Sequence, residues 1–383
     1  MRIDTDYLRH IPTPVYYYDL NTLRLTLEAL RSAAAGRPIK VHYALKANGE
    51  KAILDEISRA GLGADCVSGN EIQAALDAGI PADKIYYAGV GKTDREIILG
   101  IQSGIGCFNV ESVEELAVIN DLAQQQGKKA NVALRVNPNI DAHTHHYITT
   151  GLEENKFGID MRVLPDAVSK AVSSEGINLV GLHFHIGSQI TTMEPYVLLC
   201  QRVAALIKEY REKGIEFKII NLGGGYGVDY NNPTGHPIPD FKKLFDTVSA
   251  NLPLAPGQEI HFELGRSIVA QCGALISRVL YIKEGIERKF AIIDAGMTEL
   301  IRPALYKANH KIVALNPSDT SAVERYDVVG PVCESSDTFA RDYPLPRLKR
   351  GDMIAILSAG AYGQSMASTY NMRDLVKAVY REN

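Results

Sequence analysis

Cysteine is scarce and scattered in this sequence. The five residues Cys66, Cys107, Cys200, Cys272 and Cys333 are odd in number and include no C-x-x-C pair, which argues against a disulfide framework and a zinc knuckle. Four of them read as core residues, while Cys333 stands in a polar run, "GPVCESSDTF". No apolar run approaches the ~20 residues of a membrane helix, and "MRIDTDYLRHIPTP" carries charges where a signal peptide would carry its apolar core. A cytoplasmic chain with no membrane partner is expected. Basic blocks are missing too: 41 basic and 45 acidic residues are mixed along the chain to a net charge of -4, so nothing favours nucleic acid. Repeats, low-complexity tracts and long linkers are likewise absent.

What the chain does have is length and alternation. Its 383 residues, 46% of them apolar, allow two domains or one large barrel with an appendage. From residue 38 short β-rich runs alternate with amphipathic stretches, the pattern of βα units and a parallel sheet. Eight runs are counted: "VHYAL" (41–45), "GADCVS" (63–68), "KIYYAG" (84–89), "CFNVES" (107–112), "VALRVNP" (132–138), "LVGLHFHIG" (179–187), "FKIINLGGG" (217–225) and "EIHFELG" (259–265). Stretches between them, such as "KAILDEISRAG", carry apolar residues at helical spacing and end in glycine. This predicts an α/β protein with a (β/α)8 TIM barrel over residues 23–265. After "ELGR" the texture changes to β-branched runs broken by turns, which predicts a C-terminal β-rich domain over 266–383. Residues 1–22 contain the strand-like "PVYYYD", expected to join that domain.

In such barrels the active site lies at the C-terminal strand ends, with phosphate commonly bound after the last two strands. The unusual residues fall there. Lys46 ends the first run, Asp65 and Ser68 the second, Asn137 the fifth, His185 and Ser188 the sixth, Gly223, Gly224 and Gly225 the seventh, and Glu263, Gly265 and Arg266 the eighth. Each alone has an ordinary reading, the lysine as a solvated rim residue and the glycines as a turn. His183 and His185 share one side of their run and could ligate a metal, with more histidine in "HTHHY" at 143–147. No matching Asp and His cluster stands at the other strand ends, so no metal is expected. Taken together the residues suggest pyridoxal 5'-phosphate: an amine for its aldehyde, glycine amides and Arg266 for its phosphate region, a histidine for its ring face and a carboxylate for its ring nitrogen. Lys46 follows Val41, Tyr43 and Leu45 with no carboxylate beside it in sequence, so an apolar setting that makes the amine nucleophilic is expected. Glu263 would keep the ring nitrogen protonated, a strong electron sink that suits decarboxylation.

Several stretches also carry a resemblance over almost the whole chain: "TPVYYYD", "YALKAN", "GADCVSGNEI", "HTHHYITTGLEENKFGI", "GLHFHIGSQI", "NLGGGYG", "ELGRSIVA", "LIRPALY", "GPVCESSDTF" and "SAGAYG". The sequence resembles the diaminopimelate decarboxylases, pyridoxal-phosphate enzymes with an alanine-racemase-type barrel. "YALKAN" and "FHIGS" also resemble ornithine and arginine decarboxylases. The resemblance implies conversion of meso-2,6-diaminopimelate to L-lysine and carbon dioxide, the last step of lysine biosynthesis. It implies that Lys46 holds the cofactor, His185 stacks on its ring, Glu263 meets the ring nitrogen, and Ser188, Gly224, Gly225 and Tyr362 serve the phosphate, in a cofactor site that includes Asp65, Gly265 and Arg266. It further implies that Arg266, Arg302, Tyr306 and Tyr362 bind substrate, that Glu334 meets its distal ammonium and that Cys333 handles the proton at Cα. Cys333 and Glu334 would come from the partner subunit of a homodimer. The sequence departs from the family pattern at Thr298 and Glu299, where an Asn-Asp pair would be expected.

Three rivals follow from the same residues. The nearest is decarboxylation of another basic amino acid, against which "RPALY" and "CES" argue because such substrates lack a second carboxylate. A metal hydrolase would rest on the histidines, and a non-enzymatic cofactor-binding barrel would have no use for a substrate grip.

Overall fold

The computed structural model describes residues 1–140, 156–315, 317 and 322–382. The "HTHHY" histidines, with most of the motif they open, lie outside the described residues. The chain divides into two compact units: a β unit of Met1–Thr26, Val228–Pro239 and Arg266–Asn383, and a barrel unit of Leu27–Gly227 and Asp240–Gly265. The Pro- and Asn-rich segment Val228–Pro239, which interrupts the barrel sequence, belongs to the β unit.

In the β unit, strand β1 (Val15–Asp19) is followed, after eight barrel strands, by β10 (Gly273–Glu284), β11 (Lys289–Ile293), β12 (Ile312–Leu315), β13 (Val323–Val329), β14 (Thr338–Pro346), β15 (Met353–Ile356) and β16 (Ala378–Arg381). These form one sheet in the order β12-β15-β10-β11-β13-β14, with β1 antiparallel to β10 and parallel to β16. β1 is buried along its whole length, so its tyrosines must bring their hydroxyls to partners. Tyr16 donates to the Glu299 carbonyl at 2.6 Å, Tyr17 to the Arg2 carbonyl at 3.2 Å and Tyr18 to Gln364 Oε1 at 2.9 Å. Thr298 and Glu299, the two departures from the family pattern, are both buried. The Glu299 carboxylate accepts from the Gly296 amide at 2.6 Å and from Thr298 Oγ1 at 2.9 Å, which closes the loop leading into the helix Arg302–Tyr306.

The barrel unit closes through strands β2 (Ile39–Ala44), β3 (Gly63–Cys66), β4 (Ile85–Tyr87), β5 (Cys107–Val110), β6 (Ala130–Arg135), β7 (Ile177–His183), β8 (Ile219–Asn221) and β9 (Glu259–Leu264). All neighbours are parallel, and β9 pairs back onto β2. Each of the eight expected runs overlaps one of these strands, with β2, β6 and β7 starting two residues earlier than expected, and the expected β-rich region is present. The helices start where the sequence offers a cap: Ser68 accepts from the Glu71 amide, Ser112 from the Glu115 amide, and Thr93 with Glu96 forms a capping box. Such local signals fix the period of the βα units, and the closed hydrogen-bond circuit turns eight strand ends to one side. No described helix is long and apolar enough to cross a membrane.

Tyr16→Phe should leave the buried Glu299 carbonyl without its donor and cost about 1–3 kcal/mol of stability. A fall in the urea midpoint with an unchanged slope would register that loss; an unchanged midpoint would show that this hydroxyl contributes nothing.

Candidate active site

Lys46 lies in the short turn Leu45–Ala47 that ends β2. In the parallel register Ala44 faces Asp65 on β3, which sets the Asp65 carboxylate beside the start of that turn. Lys46 Nζ donates to Asp65 Oδ2 at 2.7 Å. This corrects the expected apolar setting: the lysine stands against a carboxylate that is itself fully buried, and the Lys46 side chain is 40% exposed. Burial, followed by the negative charge of Glu263, pushes the Asp65 carboxyl up to about 7 despite the opposing pull of Lys46. Asp65 Oδ1 has no hydrogen-bond partner among the described residues.

Glu263 is held by side chains from three other strands of the barrel. Its Oε1 accepts from Asn109 Nδ2 on β5 at 2.8 Å and from Asn221 Nδ2 on β8 at 2.7 Å, and its Oε2 pairs with His183 Nε2 on β7 at 3.0 Å. Burial alone would raise the Glu263 carboxyl. Attraction to His183, the bond between them and the charge of Lys46 outweigh it and hold the group well below the ordinary carboxylate range. His183, read from sequence as half of a possible metal pair, is instead a partner of the carboxylate.

His185 follows β7, and its Nδ1 accepts from the Gly224 amide at 3.2 Å. Burial, then the positive charges of Arg135 and Lys46, lower its pKa to about 3, so the ring is neutral at physiological pH. Gly224 and Gly225 are required by close approach. A Cβ on Gly224 would sit 2.1 Å from the Glu263 carbonyl, and one on Gly225, where φ is +99°, would sit 2.4 Å from the Gly187 carbonyl. Their amides are thereby free of side-chain bulk at the end of β8. Ser188 is half-buried in the segment after His185, and Gly265 ends β9 against the methyls of Ala44 and Ala47.

The remaining expected residues belong to the β unit. Arg266 is buried, donates from Nη1 to the Tyr230 hydroxyl at 2.7 Å and stacks 4.8 Å from the Tyr362 ring. Arg302 is buried as well, with its guanidinium 4.6 Å from the Tyr230 ring. Tyr306 is half-buried at the far end of the same helix. Tyr362 occupies the left-handed region at φ 56°, an uncommon conformation for a bulky residue. Cys333 and Glu334 are exposed; the Cys333 amide donates to Asn371 Oδ1 at 3.2 Å, and Glu334 Oε1 accepts from the Tyr370 hydroxyl at 2.6 Å.

Sequence reasoning missed Asn109, Asn221, Tyr230 and His310. The first two were visible as lone asparagines inside the apolar strands "CFNV" and "IIN"; the others lie in loops that offer no periodic signal. It also missed an ion cluster at the ends of β4 to β6, where Arg135 donates to Glu111 at 2.6 Å and the buried Lys92 to Glu115 at 2.6 Å.

Similar sequences and a similar architecture are found in known proteins. The family described as "Pyridoxal-dependent decarboxylase, pyridoxal binding domain" matches residues 20–270. A diaminopimelate decarboxylase of Bacteroides thetaiotaomicron is 54% identical over 373 residues, covering 97% of this chain and 96% of that protein. One from Helicobacter pylori is 44% identical over 363 residues, covering 94% and 88%. A crystal structure of diaminopimelate decarboxylase from Helicobacter pylori complexed with L-lysine superposes with a TM-score of 0.92 at 42% identity, over 99% of this chain and 94% of that one. A lysine/ornithine decarboxylase from Vibrio vulnificus shares the fold, with a TM-score of 0.84 at 20% identity over 98% and 96%.

Glu263→Gln should lower the stability of cofactor-stripped protein at neutral pH by about 1–3 kcal/mol, because an amide offers a donor where three donors already converge. A depressed carboxyl contributes stability that is complete above its ordinary pKa of 4.5 and is lost as pH falls through the depressed value. The difference between parent and variant should therefore narrow below about pH 4.5 in urea titrations; a constant difference across pH would show that the charge of Glu263 is not what the donors stabilise.

Proposed function

The chain belongs to the diaminopimelate decarboxylase family of pyridoxal-dependent enzymes, and from that premise we propose how its residues divide the work of converting meso-diaminopimelate to L-lysine and carbon dioxide. It is a carboxy-lyase. The observation that carries the division is the state of Glu263: an ionised carboxylate whose Oε2 accepts one bond, from His183, and so keeps a lone-pair direction for a protonated ring nitrogen. The residues fit pyridoxal phosphate, which supplies the electron sink into which the bond to the departing carboxylate breaks.

Lys46 would hold the cofactor's aldehyde carbon through Nζ. Asp65, 2.7 Å away, can take up or return a proton there because its proton affinity is raised toward neutrality. The neutral His185 ring offers an aromatic face without adding a positive charge near the ring nitrogen. Gly224 and Gly225, which place no side-chain bulk at the end of β8, together with Ser188, Gly265, Arg266 and Tyr362, are assigned to the cofactor and its phosphate.

A substrate with two amino-acid ends of the same composition must be gripped at the end that does not react. Arg302 is suited to that grip, being a buried cation with no carboxylate at ion-pair distance among the described residues. Such a charge is costly to bury unless an anion arrives to match it, and a guanidinium pairs both oxygens of a carboxylate. Tyr306, Arg266 and Tyr362 are assigned to the same substrate, Glu334 to its distal ammonium and Cys333 to proton delivery at Cα. Their exposure supports a homodimer in which Cys333 and Glu334 serve the partner's site.

Carbon dioxide release by the cofactor-loaded protein, with meso-diaminopimelate, L-ornithine and L-arginine in parallel, tests the substrate. Release should come from diaminopimelate alone with lysine formed, and Lys46→Ala should show no turnover. Release from ornithine or arginine only would overturn the assignment of Arg302. The shared site has its own test. Lys46→Ala and Cys333→Ala proteins, each inactive alone, should recover about a quarter of parental activity when reassorted, since half of randomly formed dimers hold one intact site. No recovery from reassorted dimers would place both residues in the same subunit's site.

A further inference from the structure

We infer that His310 is a positioning residue that aims Arg302 at the substrate's retained carboxylate while leaving the arginine's charge unspent. The inference rests on the substrate-gripping role proposed for Arg302 and names what makes it work. His310 is 4% exposed, and both of its ring nitrogens are engaged. Nδ1 lies 2.9 Å from the Leu357 carbonyl, which can only accept, so Nδ1 carries the hydrogen. Nε2 lies 2.7 Å from Arg302 Nη1, which can only donate, so Nε2 must present its lone pair. The two contacts together fix one neutral tautomer. A charged imidazole would set donor against donor and two cations side by side. Burial, followed by the charge of Arg302, also presses the His310 pKa down to about 3.

Tyr230 completes the support. Its ring lies under the Arg302 guanidinium at 4.6 Å and meets the His310 ring edge-on at 5.0 Å, while its hydroxyl accepts from Arg266. Arg302 is thus fixed by a flat aromatic floor and one lateral acceptor. Neither is an anion. A glutamate or aspartate in place of His310 would orient the guanidinium equally well, but it would also neutralise it and occupy the fork that a substrate carboxylate needs. A neutral acceptor orients the arginine without competing for its charge. Arg302 Nε has no partner among the described residues, so part of the fork remains available.

The test separates carboxylate recognition from general damage by using two inhibitors with the same amines. L-lysine has a carboxylate and 1,5-diaminopentane has none. In the cofactor-loaded enzyme, His310→Phe should weaken L-lysine inhibition and raise the KM for diaminopimelate by about tenfold, with 1,5-diaminopentane inhibition and cofactor absorbance as in the parent. His310→Gln, which can return an acceptor near the position of Nε2, should recover most of the loss. His310→Glu should be worse than His310→Gln toward L-lysine. Equal weakening of both inhibitors by His310→Phe would reduce His310 to a structural residue and overturn the inference. So would unchanged L-lysine inhibition in His310→Phe when Arg302→Gln weakens it. If Arg302→Gln itself leaves L-lysine inhibition unchanged, the role proposed for Arg302 fails and the inference with it. Should the Phe variant not fold, the Gln and Glu pair decides the matter, because equal L-lysine inhibition in those two would show that the charge at this position is irrelevant.

Discussion

An ionised carboxylate inside a closed barrel is the constraint on which the rest of the site depends. Burial opposes the charge on Glu263, and only several well-aimed donors can reverse that penalty. They come from three other strands, Asn109 on β5, His183 on β7 and Asn221 on β8, while Glu263 itself stands on β9. Side chains from strands so far apart in sequence meet at one point because the sheet closes and brings its inward faces together. Glu263 then acts in turn on its neighbours. Its charge helps to raise Asp65, and it is itself lowered by His183 and partly by Lys46, so the amine and the two carboxyls form one coupled electrostatic system.

The β unit solves the opposite problem. There two cations, Arg266 and Arg302, are buried against neutral groups: the Tyr230 ring and hydroxyl, the Tyr362 ring and His310. Aromatic faces and a lone pair offset part of the desolvation cost without neutralising the guanidinium. In the barrel unit a carboxylate is held fast by donors; in the β unit two cations are held fast by uncharged groups.

Much of this was legible in the order of residues. Eight β-rich runs separated by capped helices specify the barrel, because the period of apolar residues and the Ser or Thr caps act over a few residues and need no tertiary context. The break in texture after "ELGR" announced the β-rich region, and the strand-end positions of Lys46, Asp65, His185, Gly224 and Glu263 were readable once a barrel was assumed. Partnerships across strands were not. Lys46 and Asp65 are 19 residues apart, and the sequence pattern alone implied an apolar setting for the lysine where the structure has a carboxylate. A parallel register, which neither segment states by itself, decides that contact.

The sequence by itself determined the number and period of the βα units, that a β-rich region follows them, and which residue types stand at the strand ends. The tertiary structure alone decided the charge states: that Glu263 is held ionised, that Asp65 is drawn toward neutrality and that His310 is confined to one neutral tautomer. The reason is physical. Secondary structure follows from interactions between near neighbours along the chain, whereas a pKa inside a protein follows from burial and from charges and donors within a few ångströms in space, whichever strand or loop supplies them.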